Sequence, residues 1–208
     1  MAVNPWWAPW VLSKMIEPLM RSLIIQVPTL AEMKAGDRAL DICCGTGALA
    51  LRYASLGVMA TGIDQDPRVI QVADTKRRRQ GMGNASFQTA NALNLPFGDS
   101  LFDHVSISMS VHEVNREERD RIISEMKRVV KEGGNLIFID YKVPLPPIPS
   151  SYTSRVVELV AGRDHNQCFK DYIQQGGLDG MLPGHKLHEK RREQLGPMWL
   201  MVTSNSLS

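Results

Sequence analysis

The chain has 208 residues, 43% of them hydrophobic and 22% charged, with a formal net charge of +2. That is enough chain for one domain with a substantial core, and too little charge bias to argue for a nucleic-acid or strongly acidic partner. Three cysteines, Cys43, Cys44 and Cys168, provide neither a disulfide framework nor a paired C-x-x-C metal site, which fits a reducing, cytoplasmic setting. No basic leader followed by an apolar stretch opens the chain, and nothing approaches the ~20 continuous apolar residues of a membrane span.

Residues 1–36 read as a helical cap. Trp6, Trp7 and Trp10 come first, then Leu12, Met15, Ile16, Leu19, Leu23 and Val27 at helical spacing, with Pro18 interrupting and Gly36 closing the segment. A first strand over Arg38–Ile42 runs into Cys43-Cys44-Gly45-Thr46-Gly47 and then a helix from Ala48. This strand–turn–helix spacing matches G-x-G-x-x-G/A, with Ala50 in the last place. Glycines allow the tight turn and a close backbone approach, and the new helix offers free N–H groups to an anionic ligand group.

A second strand, 58–63, closes on Asp64. Asp66 and Pro67 then suit the N-cap and first position of a helix reaching about Gln80. Strands follow at 85–89 and 103–109. Asn115 with Glu118 forms a capping box for a helix whose buried stripe is Ile122, Ile123, Met126, Val129 and Val130, and Gly133-Gly134 is expected to end it before a strand at 135–140. Past Tyr141, Pro144, Pro146, Pro147 and Pro149 stiffen a connection to helical segments near 154–161 and 167–175. Two closing strands, 186–194 and 198–203, meet at Gly196-Pro197.

Five alternations of strand and helix predict an α/β fold: a doubly wound, mainly parallel seven-stranded sheet with helices on both faces and the last strand antiparallel. The expected organisation is a single domain. It comprises a helical cap (1–36), a cofactor-binding core (37–141), a helical lid insert (142–184) and a C-terminal strand pair (185–203). Ligands in such sheets bind beyond the carboxyl ends of the strands, where Asp41, Asp64, Asn91 and Met109 fall.

The charge near the turn separates two ligand classes. A carboxylate at Asp41 repels a dinucleotide's pyrophosphate but favours the cationic amino-acid tail of S-adenosylmethionine; Asp64 can accept ribose hydroxyls from either. Two basic runs, 76–79 and 185–192, read as solvated faces, and His165, His185 and His188 form no recognisable metal cluster, so no metal is expected.

The run Leu40-Asp41-Ile42-Cys43-Cys44-Gly45-Thr46-Gly47 resembles motif I of class I S-adenosylmethionine-dependent methyltransferases. Gly62-Ile63-Asp64, Asn91-Ala92, 95–103 and Arg128-Val129-Val130-Lys131-Glu132-Gly133-Gly134 follow in the family's order. The doubled cysteine and Ile139-Asp140-Tyr141 are similar to the ubiquinone/menaquinone-biosynthesis type. The likeness spans about residues 37–141. Three positions depart from the usual pattern: Cys43 and Glu132 stand where glycine and proline are usual, and Asn91 where an acid is.

The resemblance implies an enzyme moving a methyl group from S-adenosylmethionine, leaving S-adenosylhomocysteine, to a small hydrophobic acceptor of quinone or lipid type. It implies cofactor contacts from Asp41, Cys43, Gly45, Thr46, Gly47, Asp64, Gln65, Asn91, Ala92, Ser108 and Met109. His112 is the candidate base or acceptor-orienting residue, with Glu113 beside it. Two alternatives remain at this point, an NAD(P)-linked oxidoreductase and a non-enzymatic S-adenosylmethionine-binding protein. Peripheral membrane contact and a homodimer are left open, and no nucleic-acid partner is expected.

Overall fold

A computed structural model describes residues 17–147 and 163–205. In chain order the elements are α1 (Glu17–Leu30), β1 (Arg38–Ile42), α2 (Ala48–Ala54), β2 (Met59–Asp64), α3 (Pro67–Arg79), β3 (Ala85–Thr89) and β4 (Phe102–Ser108). A 3-10 turn (Val111–Glu113), α4 (Arg116–Val129), β5 (Val130–Tyr141), α5 (Arg163–Gln174), α6 (Gly177–Met181), a second 3-10 turn (Leu182–His185), β6 (His188–Leu195) and β7 (Met198–Ser204) complete them. The three N-terminal tryptophans and the expected helix at 154–161 lie outside the described residues.

The seven strands form one sheet in the order β3-β2-β1-β4-β5-β7-β6. β1 to β5 pair in parallel, and β7 runs antiparallel to both β5 and β6. Buried apolar side chains alternate to the two faces, as a sheet covered on both sides requires. Leu40, Ile42, Val105, Ile107, Leu136 and Phe138 pack with Ile122 and Met126 of α4 and with Tyr172 and Leu178 of the C-terminal helices. Ala39, Ala60, Ile137, Ile139, Leu200 and Val202 pack on the other face with Leu23 and Val27 of α1 and Leu49, Ala50 and Tyr53 of α2. Each fully buried Leu, Ile, Val or Phe contributes about 1.5–3 kcal/mol through apolar area removed from water.

Local signals set the starts of α3 and α4. Asp66 accepts a 2.9 Å hydrogen bond from the Arg68 N–H, with Pro67 in the first turn. Asn115 and Glu118 close a reciprocal capping box, at 3.0 and 3.2 Å. The end of α4 differs from expectation. The helix stops at Val129, and Gly133 and Gly134 lie inside β5. The N–H groups of Ser100 and Leu101 take the carbonyls of Arg128 and Val129, so the helix end is satisfied by the preceding loop and needs no glycine cap. Gly133, at φ +70, instead serves a register shift between β4 and β5.

Both basic runs are largely engaged in surface ion pairs. Arg77 and Arg78 meet Asp74, Arg191 meets Glu32, and Arg192 meets Asp179 and Glu189. His185, expected on a strand, sits in the second 3-10 turn with Nε2 3.0 Å from Asp120. Among the described residues no helix is long and apolar enough to cross a membrane.

Candidate active site

The parallel registers bring the carboxyl ends of β1, β2 and β4 level, with Ile42 opposite both Ile63 and Ile107. The chain leaves β1 into a left-handed turn: φ is +55 at Cys43, +52 at Gly45 and +81 at Gly47. Cys43 occupies a backbone conformation that glycine adopts without strain, which accounts physically for glycine being usual there. At Gly47 a Cβ would lie 2.7 Å from Phe87 and 2.9 Å from Ala73, so glycine is required there by packing beneath the turn as well as by φ.

Asp64, at the end of β2, organises this turn. Its Oδ2 accepts from the Gly45 N–H and its Oδ1 from the Asp66 N–H, both at 3.0 Å. Burial nevertheless pushes its carboxyl above the ordinary range. Each carboxylate oxygen has a second lone pair, so the same group can accept hydroxyls from a ligand lying over the turn. Gln65 beside it is exposed.

Asp41 is buried, and its Oδ1 accepts from Ser106 Oγ at 2.9 Å. Burial is the main cause that raises its carboxyl to about 7, with the neighbouring Asp64 adding to the effect and hydrogen bonds from Ser106 and the Ala50 backbone opposing it. Thr46 is also buried, and its hydroxyl accepts from Lys76 Nζ at 3.1 Å. Burial pushes the Cys43 and Cys44 thiols up, which keeps them protonated and makes them packing groups rather than nucleophiles.

Asn91 follows β3 on the surface, and its Oδ1 accepts from the Leu93 N–H at 2.9 Å. Ala92 beneath it is buried. Ser108 ends β4. Met109 is left-handed, at φ +52, and its N–H donates to the Ile139 carbonyl at 2.8 Å.

The next residues form the second half of the site. His112 is 1% exposed, with Nδ1 2.7 Å from Asp140 Oδ1. Asp140 is 1% exposed and also accepts the Tyr141 N–H at 2.7 Å. This carboxylate fixes the imidazole's orientation. The rings of Tyr141, His165, Phe169 and Tyr172 surround it edge-on, with centroids 5.0–6.2 Å away. Glu113 is exposed beside it. The Cys43 thiol stands near both halves: burial raises it most, Asp64 and Glu113 add to that, and Ser110 opposes it.

Arg119 holds this arrangement together. It is fully buried and donates to the Val111 carbonyl at 2.8 Å, on the turn carrying His112. It also reaches α5, donating to Asp171 and the Cys168 carbonyl at 2.7 Å, and donates to Gln175 at 3.1 Å.

Residues 39–134 match the family described as "Methyltransferase domain". Over these 96 of 208 residues the chain is similar to methyltransferases that use S-adenosylmethionine. Demethylmenaquinone methyltransferase of Geobacillus kaustophilus is 33% identical over 115 residues, which are 54% of this chain and 48% of that protein. The chain spans about half the length of the curated relatives it matches. Among solved structures, a S-adenosylmethionine-dependent methyltransferase from Methanosarcina mazei superposes with a TM-score of 0.66 at 25% identity, covering 85% of this chain and 95% of that one. A Pyrococcus horikoshii protein gives a TM-score of 0.74 at 16% identity over 98% of this chain and 99% of that one, a likeness of fold along the whole length.

Of this candidate site, sequence reasoning pointed to the turn, Asp64 and His112. It missed Asp140 as the partner of His112, Arg119 as the anchor, and the approach of His165. Asp140 sits in the resemblance motif, but pairing it with His112 needs the register of β5 beside β4. His165 joins them only through the packing of α5.

Proposed function

We propose that the chain catalyses methyl transfer from S-adenosylmethionine to a small hydrophobic acceptor of quinone or lipid type, in a site formed by the core 37–141 with α5 packed beside it. The observation that carries the reading is the juxtaposition of two unlike halves. One is a left-handed turn with two acids at the carboxyl ends of β1 and β2. The other is an oriented imidazole in an aromatic wall after β4.

The turn suits the cofactor's amino-acid tail. Ionising Asp41 costs free energy in its buried setting, and a nearby ammonium offsets that cost, whereas a pyrophosphate would increase it. This disfavours a dinucleotide and the oxidoreductase reading. Asp64 accepts the ribose hydroxyls, and Asn91 lies where the adenine amine is received. Gly45, Thr46 and Gly47, with Cys43, Gln65, Ala92, Ser108 and Met109, complete the cofactor contacts.

Methyl transfer is an in-line displacement. A lone pair of the acceptor forms the new bond to carbon, the carbon–sulfur bond breaks, and the sulfonium becomes the neutral thioether of S-adenosylhomocysteine. The protein's part is alignment and exclusion of water. His112, oriented by Asp140, meets the acceptor through Nε2 at the point where the acceptor's proton must be lost. Phe169, Tyr172 and Tyr141, all buried, give the imidazole an apolar, aromatic setting beside which a ring-bearing acceptor would lie. The name of the Geobacillus relative, demethylmenaquinone methyltransferase, supports an acceptor of this class.

The test is His112→Ala, assayed with S-adenosylmethionine and demethylated quinones. Turnover should fall by 10²–10⁴-fold, the usual range for loss of a general base, while S-adenosylhomocysteine affinity stays within a factor of about two. Loss of cofactor affinity in step with loss of rate would make His112 a structural residue and overturn its assignment.

A further inference from the structure

His112, Glu113 and His165 each bring one ligand-capable atom to within 4.8 Å of the other two. We propose that these three side chains bind one divalent transition-metal ion of the zinc class, and that the ion, carried on His112 Nε2 in place of direct proton transfer to that nitrogen, holds and acidifies a hydroxyl of the methyl acceptor. The location of the acceptor rests on the methyl-transfer reading above; the metal site itself does not.

The donor set is two imidazoles and one carboxylate. That set binds zinc in hydrolytic centres and iron(II) in facial triads, and both leave a coordination position open for water or substrate. Zinc–nitrogen and zinc–oxygen bonds of about 2.0–2.2 Å place ligand atoms about 3.4 Å apart around a tetrahedral ion. From separations of up to 4.8 Å the cluster therefore contracts by at most about 1.4 Å. The exposed Glu113 and half-buried His165 can supply that by rotation, with His112 fixed.

The independent support is Asp140. Its Oδ1, 2.7 Å from His112 Nδ1, creates the carboxylate–histidine pair that orients metal-bound imidazoles and raises their basicity, with Nε2 directed to the ion. A base alone would not call for the second imidazole that α5 brings to a ring-centroid separation of 5.8 Å. With the ion in place, a coordinated acceptor hydroxyl loses its proton to solvent. Its electron pair would then attack the methyl carbon directly, or through a conjugated ring carbon whose hydrogen afterwards passes to the oxygen to restore the ring, and the carbon–sulfur electrons remain on sulfur.

The experiment uses the full chain, dialysed against EDTA and then titrated calorimetrically with zinc, with bound metal counted by mass spectrometry. The expected result is one zinc per chain. Binding should weaken at least tenfold in His165→Ala and in Glu113→Gln, and 10–100-fold in Asp140→Asn, the range expected when an orienting partner is removed. His188→Ala, exposed and outside the cluster, should bind as the parent does. Each variant is checked by circular dichroism. Should Asp140→Asn fail to fold, the His165 and Glu113 variants alone decide. No zinc bound at micromolar free metal, or equal affinity in those two variants, overturns the proposal. S-adenosylhomocysteine is titrated into the same samples. Its binding without zinc binding overturns the metal site and leaves the methyl-transfer reading standing, and zinc binding without it does the reverse.

Discussion

Replacing Asp41 by Asn should change how the stability of the protein depends on pH. In the folded protein burial lifts this carboxyl to about 7, against an ordinary value of 3.8. At about 1.36 kcal/mol per unit, the difference of roughly 3 units corresponds to about 4 kcal/mol. Below pH 4 both folded and unfolded chains carry the proton, and Asp41 costs nothing. Between pH 4 and 7 the unfolded chain releases the proton while the folded chain keeps it. The folded state therefore loses up to about 4 kcal/mol across that window, and the loss stays constant above pH 7. Asn keeps an oxygen acceptor for Ser106 and cannot ionise. Urea denaturation of both proteins at intervals from pH 4 to 8 should show the variant's relative stability rising by about 4 kcal/mol over this range. The same variant should bind S-adenosylhomocysteine more weakly above pH 7, where the parent presents a carboxylate to the ligand's ammonium. Parallel stability curves for the two proteins would show that Asp41 ionises normally, and would remove the electrostatic argument for a cationic ligand tail.

Gly47→Ala should destabilise the protein by about 2–5 kcal/mol, because the left-handed backbone disfavours a side chain and the added carbon meets Phe87 and Ala73. Thermal and urea unfolding measure this, and a change below about 1 kcal/mol would refute the packing role. Arg119→Lys should lower kcat more than it lowers S-adenosylhomocysteine affinity. The shorter cation cannot span the Val111 carbonyl and α5 together, so the turn bearing His112 loses its anchor. Equal losses in rate and cofactor affinity would count against it. Deleting residues 1–10 should reduce methyl transfer to a hydrophobic acceptor far more than cofactor binding; undiminished transfer by the truncated chain would assign the tryptophans another task.

The parts of the fold legible in the sequence are those governed by short-range rules. β1 and β3 fall on the expected residues because each is bounded by turn-forming residues, and the capping box at Asn115 and Glu118 marks the start of α4 directly. The glycine turn is legible for the same reason: its positive φ values are a local requirement. Gly133 and Gly134 mislead because the end of α4 is satisfied by Ser100 and Leu101, residues distant in sequence. The acceptor half of the site is hidden for a similar reason. Nothing near His112 in sequence announces Asp140 or His165. The first reaches it through pairing of β4 with β5, the second through the docking of α5 by Arg119.

Calorimetric titration of S-adenosylhomocysteine into the protein and into Asp64→Ala tests the central claim most directly, with NAD as the competing ligand. Asp64 holds the Gly45 N–H and is assigned the ribose hydroxyls. Losing charge-assisted hydrogen bonds worth about 1.5–3 kcal/mol should weaken S-adenosylhomocysteine binding by roughly 10–150-fold. The account predicts single-site binding of S-adenosylhomocysteine, that loss of affinity in the variant, and no heat with NAD. Saturable NAD binding, or S-adenosylhomocysteine affinity unchanged in a folded Asp64→Ala variant, would contradict it.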